Sequence, residues 1–453
     1  MFAVSTAVSR LRLPALSRLA VAAALALGAV PFAQAQSLQE LYDTARGYDA
    51  TYLAARAVAE SAQYKADQVH ALRRPRVGVE VSASRNSNET PTGESTATGP
   101  SASLRGSQTL FNRANDASIS QADLGVEAAK ADLELAEQEL IVRVAQFYFD
   151  VLAAQDALTT AQANKKAISE QLASAKRNFE VGTTTITDTR EAQARFDLAT
   201  AQEIAAENDL LTKRIALDQL VGRTGVQPKP LAVPVALPPV VPSDVNAWVD
   251  QTESSPNVRK ARIGYDVAQL ETSKARAGHL PTVDLTGSLS RGRTSADGVQ
   301  SRVPFDYSGS TSGSSVAVTL NLPLFAGFSV QNRVKETLSL EEQSRNTLEA
   351  ARRSVAQATR QTYFSVQSQQ ARVKALEAAE SSNQLALEAT QLGYKVGVRV
   401  NLDVLNAQTQ LFNARSELAK ARYDVLINSL RLRQASGQLR PEDLAALNAL
   451  LAR

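Results

Sequence analysis

From Ala114 to Val181 the chain runs without proline and with a single glycine, Gly125. Apolar side chains recur there at Ile119, Ala122, Val126, Ala129, Leu133, Ala136, Leu140, Val144, Phe147, Val151, Ala154, Leu158 and Ala161. The steps alternate three and four, with one extra four after Leu140, which is a coiled-coil seam carrying one stutter. Such a helix spans about 100 Å at ~1.5 Å per residue, well beyond the roughly 8 to 20 residues of a globular helix. It should stop at Val181-Gly182. A return helix then runs to Gly222, with Thr187 as its expected N-cap just ahead of Asp188, so the pair forms a tight helical hairpin. Upstream, an Ala-rich helical stretch, Leu38 to Arg73, ends before Pro75, where helices tend to stop. Val77, Val79 and Val81 then alternate with Gly78, Glu80 and Ser82, the period of a strand with one apolar face. A turn-rich segment, Asn86 to Pro100, precedes a second strand at Ser101 to Leu110.

The whole pattern occurs twice. Gln146 to Val151 (QFYFDV) returns as Gln361 to Val366 (QTYFSV), an offset of 215. Val181-Gly182 with Val396-Gly397, Asp188 with Asp403, Ala192-Gln193 with Ala407-Gln408, and Gly222 with Gly437 keep that offset. Leu110-Phe111 matches Leu324-Phe325 at 214, and Pro75 matches Pro281 at 206. A period this long is one duplicated unit and not a solenoid repeat, with about eight extra residues between Pro281 and Leu324. The second half therefore predicts a helix over Val245 to Gly278 and strands over Val283 to Leu289 and Ser314 to Leu322, around a turn-rich Arg291 to Ser315. A long helix over Ser329 to Val396 follows, with a return helix to Gly437 capped by Asn401. Gly106 and Gly287 on the strands mark close packing or bends. Pro228, Pro230, Pro234, Pro238, Pro239 and Pro242 make an extended connector between the halves. Pro441 to Arg453 is a short helix with no evident role.

Charge changes the picture only once the N-terminus is set aside. Arg10, Arg12 and Arg18, the apolar run Leu19 to Val30 and Ala33-Gln34-Ala35 have the layout of a cleaved signal peptide, with a mature start at Gln36. The run is shorter than the ~20 residues of a spanning helix. This segment holds the whole formal excess of +3, so the basic balance is no argument for nucleic acid. The chain has no cysteine, which excludes a disulfide framework, a thiol nucleophile and a Cys metal site. His70 and His279 each lie shortly before a proline without a neighbouring ligand cluster, and no catalytic or phosphate-loop motif is present. Catalysis, metal binding and a cofactor are therefore not expected.

Beyond the leader no apolar run is long enough for a membrane helix, which leaves a closed β-barrel as the way to span a bilayer. Four strands per chain cannot close one, since about eight is the practical minimum. Cyclic symmetry solves this, and three chains supply twelve strands. The narrow seams on otherwise polar helices fit a single-layer helical wall with water on both sides.

Several motifs carry a resemblance: GHLPTVDLT at Gly278 to Thr286, NLPLFAG at Asn321 to Gly327, VGTTTITD at Val181 to Asp188, LGYKVGVRVNLDVLNAQ at Leu392 to Gln408, ARYDVLIN at Ala421 to Asn428 and EDLAALNALL at Glu442 to Leu451. With the element order, these make essentially the whole mature chain resemble the TolC family of outer-membrane channels. The resemblance implies a mainly α fold with a transmembrane β-barrel. It implies a homotrimer whose twelve-strand barrel, four strands per chain, sits in outer-membrane lipid and continues into a long periplasmic α-helical coiled-coil barrel. It implies partners too: a periplasmic adaptor (membrane fusion) protein and an inner-membrane transporter of the ABC or RND type, for multidrug efflux or type I protein secretion. The expected division is a signal peptide at 1–35, a tunnel helix at 36–76, a first barrel hairpin at 77–111, and the long helix, tip and return helix at 112–224. A connector follows at 225–244, then the second-half helix at 245–281, the second hairpin at 282–325, the second long helix, tip and return at 326–437, and an equatorial segment at 438–453.

The resemblance also assigns a gate to the hairpin tips, where Gly182 and Gly397 form the turns. It implies that Thr187 and Asp188 are tied to Tyr394 and Arg399, with Asp188 accepting from both, so that the tunnel stays shut. Two rings of aspartate line the family's constriction one helical turn apart. Here the first is Asp403, and the second position holds Asn406, so weaker cation selectivity is expected. Without the resemblance, Asp403 reads as a helix N-terminal charge complementing the dipole. The alternative architecture is a structural or adhesive trimeric coiled coil with a membrane barrel; an internal, duplicated pair of strand hairpins counts against it.

Overall fold

The computed structural model describes residues 35–452, apart from 233 and 236. The expected signal segment lies outside these residues, save Ala35. The first half contains α1 (Leu38–Tyr48), α2 (Ala50–His70), β1 (Arg76–Thr90), β2 (Gly93–Phe111), α3 (Arg113–Glu180) and α4 (Ile186–Val221). The second contains α5 (Val245–Asp250), α6 (Pro256–Ala277), β3 (Thr282–Gln300), β4 (Val303–Asn321), α7 (Ser329–Lys395), α8 (Asn401–Ala435) and a short α9 (Asp443–Asn448). The helix expected over Leu38 to Arg73 breaks at Asp49, whose carboxylate caps α2 by accepting from the Tyr52 N–H. Asn112 caps α3 in the same way through the N–H groups of Ala114 and Asn115, and α6 opens on Ser255 with Pro256 in its first turn.

The strands pair in the order β1-β2-β3-β4, all antiparallel. They are longer than the alternation suggested: β1 has 15 residues and the others 19. The segments expected to be turn-rich are largely ladder, with Asn86 opposite Ala97 and Ala296 opposite Tyr307. Turn-type side chains do not prevent pairing once a two-residue turn has set the register. Ser301 and Arg302 form such a turn, with φ of 50° and 67°. One face of the sheet carries Val77, Val79, Val81, Leu104, Leu285, Leu289, Val316, Val318 and Leu320. The other carries Glu80, Arg105, Thr109, Asp284 and a run of serines, which follows from the period of two and the register. Two polar-face charges have partners across strands: Arg105 pairs with Glu80 at 3.5 Å, and Thr109 donates to Asp284 at 2.7 Å. Gly106 lies opposite Gly287, so neither strand presents a side chain there.

Next to the sheet the helices neighbour one another in the order α2-α3-α6-α7; toward the hairpin tips the order is α4-α3-α8-α7. Each level is thus four helices wide, one layer deep. α3, with neighbours on both sides, buries 19 of its 68 residues, whereas α7, at the edge, buries seven of 67. The seam of α3 widens between Leu140 and Leu152, where Ile141, Ala145, Tyr148 and Phe149 are buried as well. There α1, the end of α4, α8 and the C-terminal segment close around it. The C-terminus therefore does have a role: Leu439, Leu444, Leu447 and Leu451 belong to this main core, and Leu451 bridges to Leu231 of the connector.

Candidate functional site

Both long helices end the same way. At the first tip the Gly182 N–H donates to Phe179 O at 3.0 Å and the Thr183 N–H to Asn178 O at 2.8 Å. At the second, the Gly397 N–H donates to Tyr394 O at 3.1 Å and the Val398 N–H to Gly393 O at 2.9 Å. These are Schellman motifs, which need a left-handed residue after the cap. Gly182 and Gly397 supply it with φ of 79° and 82°, a conformation costly for any residue bearing a Cβ.

The return helices start differently. Thr185, not Thr187, caps α4: its Oγ1 accepts from the Asp188 N–H at 3.3 Å, while the Thr185 N–H donates to Asp188 Oδ2 at 3.1 Å. This is a capping box, and it comes two residues earlier than expected because only Thr185 has Asp188 three positions on. Thr187 is exposed within the first turn. In α8 the cap position is Val400, which has no side-chain acceptor. Asn401, expected as the cap, is instead the first helical residue and is buried, with its Oδ1 accepting from Gln171 Nε2 on α3. Val400 and Asp403 stand 215 residues after Thr185 and Asp188, so the duplicated unit keeps the carboxylate of the box and loses its hydroxyl. Freed from capping, the Asp403 carboxylate faces Arg399 at 3.6 Å.

Within one protomer, Asp188 uses Oδ2 for its box and makes no hydrogen bond with Tyr394 or Arg399 among the described residues. Tyr394 packs against Leu387, Val404 and Leu411, and its hydroxyl accepts from Asn178 Nδ2 at 3.3 Å. The Arg399 side chain is 61% exposed, and its guanidinium lies 3.6 Å from the Asp403 carboxylate. Asn406 is exposed and its Oδ1 accepts from Arg195 Nη2 at 3.0 Å. Near the tips, polar contacts cross between the two hairpins from Asn178 to Tyr394, from Gln171 to Asn401 and from Arg195 to Asn406. Asn178, Gln171 and Arg195 carry no signal in the sequence. They are single polar residues on long polar helices, and their partners lie more than 200 residues away.

Among the described residues, the tips bring together polar, hydrogen-bonded side chains at the ends of the long helices. Comparison with known proteins agrees with this architecture. The family model described as outer membrane efflux protein matches residues 41–223 and 249–438. The chain is 32% identical over 425 residues to outer membrane protein TolC of Escherichia coli (strain K12), covering 93% of this chain and 86% of that protein. It is 34% identical over 315 residues to the alkaline protease secretion protein AprF of Pseudomonas aeruginosa, covering 69% and 64%. The crystal structure of CusC has the same fold, with a TM-score of 0.76 at 20% identity over 89% of this chain and 92% of that one. On that family match, and on relatedness across nearly its whole length, the chain belongs to the outer membrane efflux protein family and is a channel protein of the outer membrane.

Proposed function

We propose that three copies of this chain close a twelve-strand barrel and form a passive duct. The duct carries substrate from an inner-membrane transporter, reached through a periplasmic adaptor protein, across the periplasm and the outer membrane. The observation that carries this reading is the pair of unpaired sheet edges, β1 and β4. Both edges bear exposed valines, Val79 at 72% and Val318 at 64%. A strand edge in lipid leaves N–H and C=O groups unsatisfied at several kcal/mol each, so the sheet must close on further copies. The open flanks of α4 and α7 support the same closure below: Leu198, Ile204, Leu211 and Ile215 on α4 and Phe364, Leu385 and Leu392 on α7 are exposed. At the tips Val181, Ile186, Val396, Val398 and Val400 are also exposed, which suits a docked protein partner better than open water. The relatives' names include both efflux and protease secretion, so one duct architecture serves both drugs and polypeptides, and the choice between them falls to the transporter.

The tips form the gate. Thr187, Asp188, Tyr394 and Arg399 would hold the closed assembly together, Asp188 through its unused Oδ1 and Arg399 through its exposed guanidinium. Asp403 and Asn406 would line the constriction. Charge-assisted hydrogen bonds are worth roughly 1.5–3 kcal/mol each, within what a docking partner supplies. Tyr394→Phe combined with Arg399→Ser should raise single-channel conductance in a planar bilayer severalfold. A conductance equal to the parent's would refute the gate, and a purified protein that is monomeric in detergent would refute the duct.

A further inference from the structure

We propose that the outward face of the barrel carries a phosphate-binding belt, Arg85, Arg291 and Arg293, that holds phosphorylated lipids of the outer leaflet. This rests on the membrane-barrel reading above. The helices join the sheet at Arg76, Phe111 and Thr282, so the opposite end, with turns at Pro91-Thr92 and Ser301-Arg302, points away from the periplasm. Along β3 the apolar face runs Val283, Leu285, Gly287, Leu289, and the next residues of the same parity are Arg291 and Arg293. Arg291 lies beside Ala102, which pairs with Val81. Arg85 belongs to the same face two pleats farther out, opposite Thr98, which pairs with Ser295. The first arginine is one pleat beyond Leu289, about 7 Å along the strand, where lipid headgroups begin.

Two further features separate this belt from ordinary surface charge. Charges on the polar face of the sheet near this height are paired, as Arg105 is with Glu80. Arg85, Arg291 and Arg293 make no salt bridge among the described residues, and Arg293 alone has a side-chain hydrogen bond, to Ser308 at 3.4 Å. Charge is also segregated by height. The outward acids, Asp297 with Asp306 and Glu89 with Glu94, begin only beyond the arginines. An unpaired guanidinium at the edge of hydrocarbon lays its stem along the apolar band and lifts its head into the headgroup layer. There its planar fork matches phosphate oxygens in bidentate fashion.

The test is native mass spectrometry of the full assembly in detergent, titrated with diphosphoryl lipid A or with its dephosphorylated form. The parent should retain the phosphorylated lipid at least about tenfold more tightly than the dephosphorylated one, and Arg85→Gln/Arg291→Gln/Arg293→Gln should erase that preference. Arg105→Gln, on the polar face, should keep it. Equal binding of the two lipids by the parent, an unchanged preference in the triple variant, or full displacement of lipid by an equal concentration of inorganic phosphate overturns the proposal. If the triple variant does not assemble, Arg291→Gln alone is read against the same outcomes. A parent that never assembles condemns the duct instead, so the two failures are distinguishable.

Discussion

At the scale of single residues, the constriction proposed at the tips carries one acidic and one neutral position per copy, each with a basic neighbour. Asn406 is neutral and accepts from Arg195, while Asp403 faces Arg399. Asn406→Asp would convert the Arg195 contact into an ion pair and place a second carboxylate in each copy. Reversal-potential measurements across a salt gradient should then show greater cation selectivity, and divalent cations should block more strongly. Selectivity equal to the parent's would remove Asn406 from the lining. Elsewhere, Glu271 on α6 joins three helices, accepting from Gln121 on α3 at 3.0 Å and from Arg333 on α7 at 2.7 Å. The Gln121 hydrogen bond holds its carboxyl below the usual range; partial burial opposes this, and Arg333 and Lys274 assist. A carboxyl depressed in the folded state stabilises above its ordinary pKa near 4.3, and that contribution is lost as pH falls through the folded value. Glu271→Gln should therefore lower the melting temperature at pH 7, by the equivalent of about 1 kcal/mol, with the deficit shrinking as pH falls below the ordinary carboxyl range and disappearing once the folded-state carboxyl is protonated. A deficit that persists in acid would mean that packing, not charge, sets the effect. Asp188, Tyr394 and Asp403 were legible as candidates because they stand in motif-bearing turns. Asn178 and Arg195 were not, because nothing local marks which polar residue of a long helix meets a partner from the other half.

At the scale of elements, the tips show how duplication and divergence combine. Helix ends, glycine turns and seam periodicity were all readable, since each depends on residues within a few positions of one another. The cap at Thr185 was displaced from Thr187 by a contact three residues long, which the spacing to Asp188 could have revealed. The strands were underestimated because residues favouring turns also line a water-exposed upper ladder. The second tip, lacking a capping hydroxyl, should be the looser of the two. Val400→Thr would restore the box with Asp403, stabilising the turn by about 1 kcal/mol and drawing the carboxylate off Arg399. Hydrogen exchange should slow at the amides of Asp403 and Val404, whereas Thr185→Ala should speed exchange at the first tip by a comparable factor. Exchange at the second tip unchanged by Val400→Thr would show that its helix start is held by packing alone.

At the scale of the whole molecule, the two halves are alike in pattern and unlike in burial. Tyr148-Phe149 and Tyr363-Phe364 keep the same edge-on geometry, 5.5 Å between centroids at 81°. Each tyrosine hydroxyl donates to a connector carbonyl, of Lys229 in one half and of Ser243 in the other. Yet Phe149 is fully buried and Phe364 is 54% exposed. The difference comes from what covers each ring: Phe149 shares one core with α1, the C-terminal leucines and α8, whose Tyr423 ring lies 5.8 Å away, and Phe364 is not part of that core. Phe149→Ala should cost about 3–5 kcal/mol and lower the thermal midpoint in any state of assembly. Phe364→Ala should leave protomer folding nearly intact and weaken association between copies, seen as dissociation at lower detergent-protein ratios by light scattering. Equal losses of folding stability in the two variants would contradict this division.

The amino-acid pattern by itself determined the duplication, the two long hairpins, the four strands and their apolar face, because each is a matter of period and of neighbours close in sequence. Only the tertiary structure decided which copy of a repeated residue is buried, that the C-terminal segment completes the main core, and which polar side chains join the hairpin tips. Burial and cross-hairpin contact are properties of what packs alongside. Two nearly identical segments acquire different environments as soon as one of them is covered by elements the other lacks.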